Sequence, residues 1–131
     1  MRILGIDYGT KRIGVAVSDE SRTFALPVVV VKNSDIALRE IIEIARQHEA
    51  KEIVIGESRN YRLQPNAIFE EADAFKKELE KAGYKVHLEL EFMTSVNAER
   101  FQGKTDMTDA SAAALILQSY LDRTKEEISN K

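Results

Sequence analysis

The chain has 131 residues, no cysteine, a formal net charge of −3, 44% hydrophobic and 31% charged residues. That composition excludes a disulfide scaffold, a thiolate metal site and a cysteine nucleophile, and it separates the chain from disordered sequences. One domain of this size can bury roughly two-thirds of its unfolded surface without staples, so we expect a single domain over residues 1–124 with residues 125–131 as a frayed tail.

The mild acidity runs against the basic surface usual in nucleic-acid binders, but clustered carboxylates can hide a local basic patch. The N-terminus, Met1-Arg2-Ile3-Leu4-Gly5-Ile6-Asp7, has an acid where a signal peptide needs an apolar run, and the stretch Ala25–Val31 is too short to span a bilayer. A cytoplasmic protein with no membrane association is the expectation.

In chain order, residues 2–8 read as a buried strand and residues 12–18 as a second, joined by the tight turn Gly9-Thr10-Lys11. Asp19 to Thr23 reads as a further turn, and residues 25–32 as a third strand, which Pro27 consigns to a sheet edge. Ala37, Leu38, Ile41, Ile42 and Ala45 then repeat at helical spacing, with Asn33 or Ser34 as N-cap. Lys51–Gly56 reads as a fourth strand and residues 58–66 as a polar loop. A second helix carries Ile68, Phe69, Ala72, Phe75, Leu79 and Ala82, and Gly83 ends it. Tyr84–Leu90 alternates as a fifth strand, a short helix starts near Thr94, a loop surrounds Gly103, and a last helix carries Ala110, Ala113, Ala114, Leu117, Tyr120 and Leu121 on one face. Short connections among the first three strands dictate an antiparallel meander, and helical crossovers make the later strands parallel. The expected class is α/β: a five-stranded mixed sheet flanked by helices, in the order of the ribonuclease H-like fold.

Asp7 interrupts an apolar strand near its end. A carboxylate there costs free energy unless it is hydrogen-bonded, paired or metal-bound. It can equally cap a hairpin, and spacing alone leaves both readings open. His48 in a helix and His87 on the polar side of a strand read as ordinary surface residues. Tyr8 and Tyr61 are candidates either for stacking on a base or for core packing.

The segment Gly5-Ile6-Asp7-Tyr8-Gly9-Thr10-Lys11-Arg12-Ile13-Gly14-Val15-Ala16-Val17-Ser18-Asp19 resembles the opening motif of the YqgF/RuvX family, distant relatives of the RuvC junction resolvases. The segment from Asp109 through Ala110 and Ser111 to Tyr120 and Leu121 resembles that family's closing motif, and the pair brackets nearly the whole chain. The resemblance implies catalytic aspartates at Asp7 and Asp109 and a third acid after the fifth strand. There the family reads Asp-Glu-Arg-Leu-Thr/Ser-Thr-Val. Here the stretch is Leu90-Glu91-Phe92-Met93-Thr94-Ser95-Val96, which keeps the acid as Glu91 but loses the flanking Asp and Arg. A second departure is Glu57, which replaces the first residue of a Leu-Pro pair at the end of the fourth strand. Acids at that place are common metal ligands in the wider fold, so Glu57 stands beside Glu91 as a candidate ligand. Asp106, three residues before Asp109, would share a helix face with it, as in RuvC-type pairs, if the helix began early, and otherwise reads as a cap or loop residue.

The resemblance thus implies a hydrolase of phosphodiester bonds, a nuclease of the two-metal type, using Mg2+ or Mn2+ held by Asp7, Asp109 and Glu91 or Glu57. Thr10, Lys11, Arg12, Arg59, Arg62, Arg100 and Lys104 are the candidate substrate contacts. The implied partner is nucleic acid, with processing of the 5′ end of pre-16S rRNA preferred and resolution of branched DNA (Holliday junctions) as the alternative. A monomer or weak homodimer is expected. Two other classes compete: a non-catalytic RNA- or partner-binding module, and an ATP-binding domain of the actin–hexokinase type, which shares the Asp-x-Gly-Thr opening but needs a second domain.

Overall fold

The structure is a computed structural model that describes residues 2–9, 11–56, 65–89 and 108–129, with the backbone alone at 65–69, 89, 108–109 and 125–129. Five strands, β1 (Arg2–Tyr8), β2 (Arg12–Ser18), β3 (Ala25–Lys32), β4 (Ala50–Gly56) and β5 (Lys85–Glu89), form one sheet in the order β3-β2-β1-β4-β5. β1–β2 and β2–β3 are antiparallel, and β1–β4 and β4–β5 are parallel. The meander, the parallel half and the edge position of β3 all follow the expected ribonuclease H-like order. Among the described residues three helices accompany the sheet: α1 (Ala37–Gln47), α2 (Pro65–Lys81) and α3 (Thr108–Ser129). The helix expected near Thr94 and the loop around Gly103 lie outside the described residues, as does Leu90.

Alternation along the central strands feeds two separate cores. Leu4, Ile6, Tyr8, Val15, Ile53 and Ile55 point to one face and pack with Ala37, Ile41 and Ala45 of α1 and Ala72 and Leu79 of α2. Ile3, Ala16 and Val54 point to the other and pack with Ala113, Ile116, Leu117 and Leu121 of α3. Each of these Val, Leu and Ile side chains contributes about 1.5–3 kcal/mol on full burial. Both faces of β1 are covered, so its sequence from Ile3 to Ile6 has no polar residue rather than alternating.

Helix ends show where local chemistry decides. At the end of α2 the N–H of Tyr84 reaches the carbonyl of Leu79 and that of Gly83 reaches Glu80, with Gly83 at φ 103°. This is a Schellman closure, which needs the left-handed conformation that glycine adopts without steric cost. The N-terminus of α1 departs from expectation: Ile36 is the N-cap and makes no side-chain cap bond. Asn33 is committed to the β1–β2 turn, three residues upstream of the cap position, and Ser34 closes the turn before the helix, its Oγ accepting the N–H of Ile36 at 3.4 Å and its carbonyl that of Ala37 at 3.0 Å.

On the α3 face, Gln118 fastens the helix to the start of β3. Its Oε1 accepts the N–H of Ala25 at 2.8 Å and its Nε2 donates to the carbonyl of Thr23 at 2.9 Å. His87 is not the plain surface residue expected. Its Nε2 lies 2.8 Å from Oε2 of Glu52, and its ring packs 5.0 Å from that of Tyr120. Strand alternation put His87 on a polar side, but α3 covers that side, so the polar side chains there satisfy one another.

Candidate active site

Asp7 is the buried carboxylate around which a site can be built, with 4% of its surface exposed. It sits one residue before the end of β1, at the carboxyl end of the parallel strands, where open α/β sheets place their ligands. Its register partners are Gly14 on β2 and Gly56 on β4, so no side chain flanks it in its own row on either side. Gly56 is in turn in register with Glu89 of β5. Two glycines beside a carboxylate leave lateral room for oxygen ligands or a phosphate to approach.

The direction of α3 follows from contacts at two levels of the strand. Tyr120 donates to Glu52, which is in register with Ile3, at 3.4 Å. A Cβ built on Gly5 would lie 2.6 Å from Cβ of Leu117 and 3.1 Å from the carbonyl oxygen of Ala113. From Ile3 to Gly5 the strand thus advances while the helix number falls, so α3 runs antiparallel to β1. Two more strand residues rise about 6.6 Å, and four helical residues rise about 6 Å. The first turn of α3, Thr108 to Ser111, is thereby brought level with Asp7. Asp109 is the second residue of that turn, where the helix dipole favours negative charge.

The remaining candidates divide into two groups. Lys11 and Arg12 are exposed beside the β1–β2 turn, on the same end of the sheet as Asp7. Glu57, Glu91, Thr10, Arg59, Tyr61, Arg62, Arg100, Lys104 and Asp106 lie outside the described residues. In the chain, Glu57 directly follows Gly56, and Glu91 comes two residues after Glu89, so each follows a strand end in the row of Asp7. Among the described residues no three His, Cys, Asp or Glu side chains form a metal-holding group, and no helix is long and apolar enough to cross a membrane. Tyr8 belongs to the core rather than to a stacking surface: its ring lies 5.4 Å from that of Phe75, and burial raises the pKa of its phenol, with a hydrogen bond from Asn33 opposing the shift.

Asn33 is a residue the sequence pattern did not single out for the site. Its Nδ2 donates to the carbonyl of Gly9 at 2.8 Å, and its backbone N–H donates to the carbonyl of Lys11 at 2.9 Å. Only the register of β3 on β2, with Lys32 opposite Arg12, brings the end of β3 to this turn.

A family model described as "RuvX: Holliday junction resolvase" matches residues 1–123. Curated relatives include proteins provisionally named pre-16S rRNA nuclease from Opitutus terrae, 39% identical over 94% of this chain and 92% of that one. Another with that provisional name, from Moorella thermoacetica, is 37% identical over 94% of this chain and 96% of that one. Among solved structures, RuvC of T. thermophilus in complex with a Holliday junction substrate superimposes with a TM-score of 0.61 at 19% identity, covering 95% of this chain and 96% of that one. The fowlpox virus Holliday junction resolvase does so at 0.55 and 16% identity, covering 95% and 99%. At these identities the structural likeness establishes a shared fold.

Proposed function

The chain belongs to the RuvX family, and on that premise we propose that it is a metal-dependent endonuclease that hydrolyses phosphodiester bonds, with the 5′ region of pre-16S rRNA as its substrate. The observation that carries this reading is the buried Asp7 between Gly14 and Gly56, at the carboxyl end of the parallel strands. The RNA substrate is favoured by the provisional names of relatives that match over nearly their full length.

The donor chemistry fits a hard divalent cation. Asp7 and Asp109 offer carboxylate oxygens, Glu57 and Glu91 extend the set from the ends of β4 and β5, and the chain has no cysteine to compete for a softer metal. When bound, Mg2+ or Mn2+ supplies a nucleophilic water at neutral pH and offsets charge on the leaving oxygen. Asp7 fixes the centre of the site because its strand is locked by neighbours on both sides and its backbone cannot shift without breaking two ladders. Asp109, in the first turn of α3, would add an oxygen from the helix to that of the sheet. Lys11 and Arg12 meet the phosphates that flank the scissile bond, which orients the strand without reading its sequence. The two glycines beside Asp7 leave the space into which the phosphodiester enters.

The test uses purified wild type and Asp7→Asn with a labelled pre-16S 5′ precursor RNA and a four-way DNA junction, in magnesium, manganese or chelator. RNA cutting that needs metal and is lost in the variant is the expected result. Cutting of the junction alone would transfer the assignment to a resolvase, the job the family description names. Metal-independent binding with no cutting of either substrate would leave a non-catalytic binding module.

A further inference from the structure

Two ends of the meander meet at one residue. Asn33, immediately after β3, grips the β1–β2 turn through two groups. Its Nδ2 donates to the Gly9 carbonyl and its backbone N–H donates to the Lys11 carbonyl. The two carbonyls it holds stand on either side of position 10. Gly9 is itself tightly placed: a Cβ there would fall 2.5 Å from the carbonyl oxygen of Arg12. A turn of this kind, without a clamp, samples several backbone conformations, and an exposed lysine on it would carry that freedom into any complex. An exposed lysine held on a fixed backbone loses less entropy when it meets a phosphate.

We propose that Asn33 is a positioning residue for nucleic-acid binding: it fixes the β1–β2 turn so that Lys11 presents its ammonium to a backbone phosphate next to Asp7. Asn33 itself touches no substrate and acts through the turn. The inference rests on the phosphodiester reading of the Asp7 site, and the bland alternative is that Asn33 merely helps the meander fold.

Binding of the labelled precursor RNA in chelator, where no cutting occurs, separates these. The proteins are wild type, Lys11→Ala, Asn33→Ala, the double variant and Asn33→Asp. The aspartate keeps the size and the backbone N–H but loses the donor to Gly9. It stands in for Asn33→Ala should that variant not fold. Each single substitution is expected to weaken binding by about three- to tenfold, and the double variant to bind no more weakly than the weaker single, because residues acting through one contact are not additive. Amide exchange at residues 9–12 should quicken by roughly tenfold or more in the Asn33 variants, while the amides of β4 keep their protection.

Losses that multiply in the double variant would overturn the positioning role, as would full binding by both Asn33 variants or by Lys11→Ala. Wild type that binds neither this RNA nor a four-way junction would overturn the phosphodiester reading and the inference with it. Wild-type binding with additive variants overturns the inference alone.

Discussion

Leu117 of α3 lies so close to Gly5 of β1 that a methyl group on Gly5 would sit 2.6 Å from its Cβ. No residue but glycine lets the helix approach this strand, and that approach sets how far the first turn of α3 stands from Asp7. Gly5→Ala should therefore act twice. Overpacking a tight contact costs about 1–3 kcal/mol, readable as a lower urea midpoint. The displaced helix should also weaken Mg2+ binding by about tenfold or more, because the oxygens from sheet and helix no longer converge. Calorimetric titration of the folded variant checks the second effect; unchanged metal affinity would show that α3 does not help to hold the ion.

Ser18 offers a cleaner test of what holds the sheet. It is 1% exposed, its Oγ accepts the N–H of Ile3 at 2.8 Å and donates to the carbonyl of Asp19 at 3.0 Å. This side chain meets the ladder where the β1–β4 register shifts between Arg2 and Ile3. Ser18→Ala would leave a buried N–H without its acceptor, a loss of about 1–3 kcal/mol. Equilibrium urea unfolding should show a lower midpoint with an unchanged slope, and cleavage by the remaining folded protein should match wild type.

The strands were legible because their pattern is local: apolar runs, the glycine turn after Tyr8 and Pro27 at an edge define the meander without tertiary information. Asp7 was legible for the same reason, as a charge out of place in an apolar strand. What escaped the pattern depends on pairing across the sheet. Nothing in the neighbourhood of Asn33 says that β3 will end opposite the β1–β2 turn, so its commitment to Gly9 and Lys11 looks in sequence like a helix cap. His87 was misread because alternation reveals sidedness but not what covers a side; Tyr120, 33 residues downstream, closes over it. The roles of Asp109, Glu57 and Glu91 come from resemblance, since a helix-terminal or strand-terminal acid is common for purely structural reasons.

Acid should loosen the turn before β3. Asp19 accepts hydrogen bonds from the N–H of Thr23 at 2.7 Å, the N–H of Phe24 at 3.1 Å and the Ser21 hydroxyl at 2.7 Å. These bonds, that of Ser21 foremost, hold its pKa below the ordinary 3.8. A carboxyl with a depressed folded pKa gives stability that is present above its unfolded pKa and lost as pH falls through the folded one. Between about pH 5 and about pH 2.5, wild type should thus lose more of its urea midpoint than Asp19→Asn. The group is partly open to solvent, so screening keeps the difference small. Equal losses in both proteins would remove Asp19 from the acid response.

Metal should stabilise the fold through Asp7. A ligand that binds only the native state adds RT ln(1 + [L]/Kd), about 2.7 kcal/mol at a hundredfold excess over Kd. Wild type should melt at a higher temperature with Mg2+ or Mn2+ than with chelator, and Asp7→Asn should show no such rise, because a neutral amide offers one weaker oxygen where a buried carboxylate offers two. In the same preparations cleavage should fall at least about a hundredfold. Both losses must occur together if the carboxylate acts by holding the ion. A variant that keeps the metal-induced rise yet cannot cut would assign Asp7 to substrate or water rather than to the ion. A variant that loses the rise yet still cuts would move the essential ligands to Asp109 and the acids that follow β4 and β5.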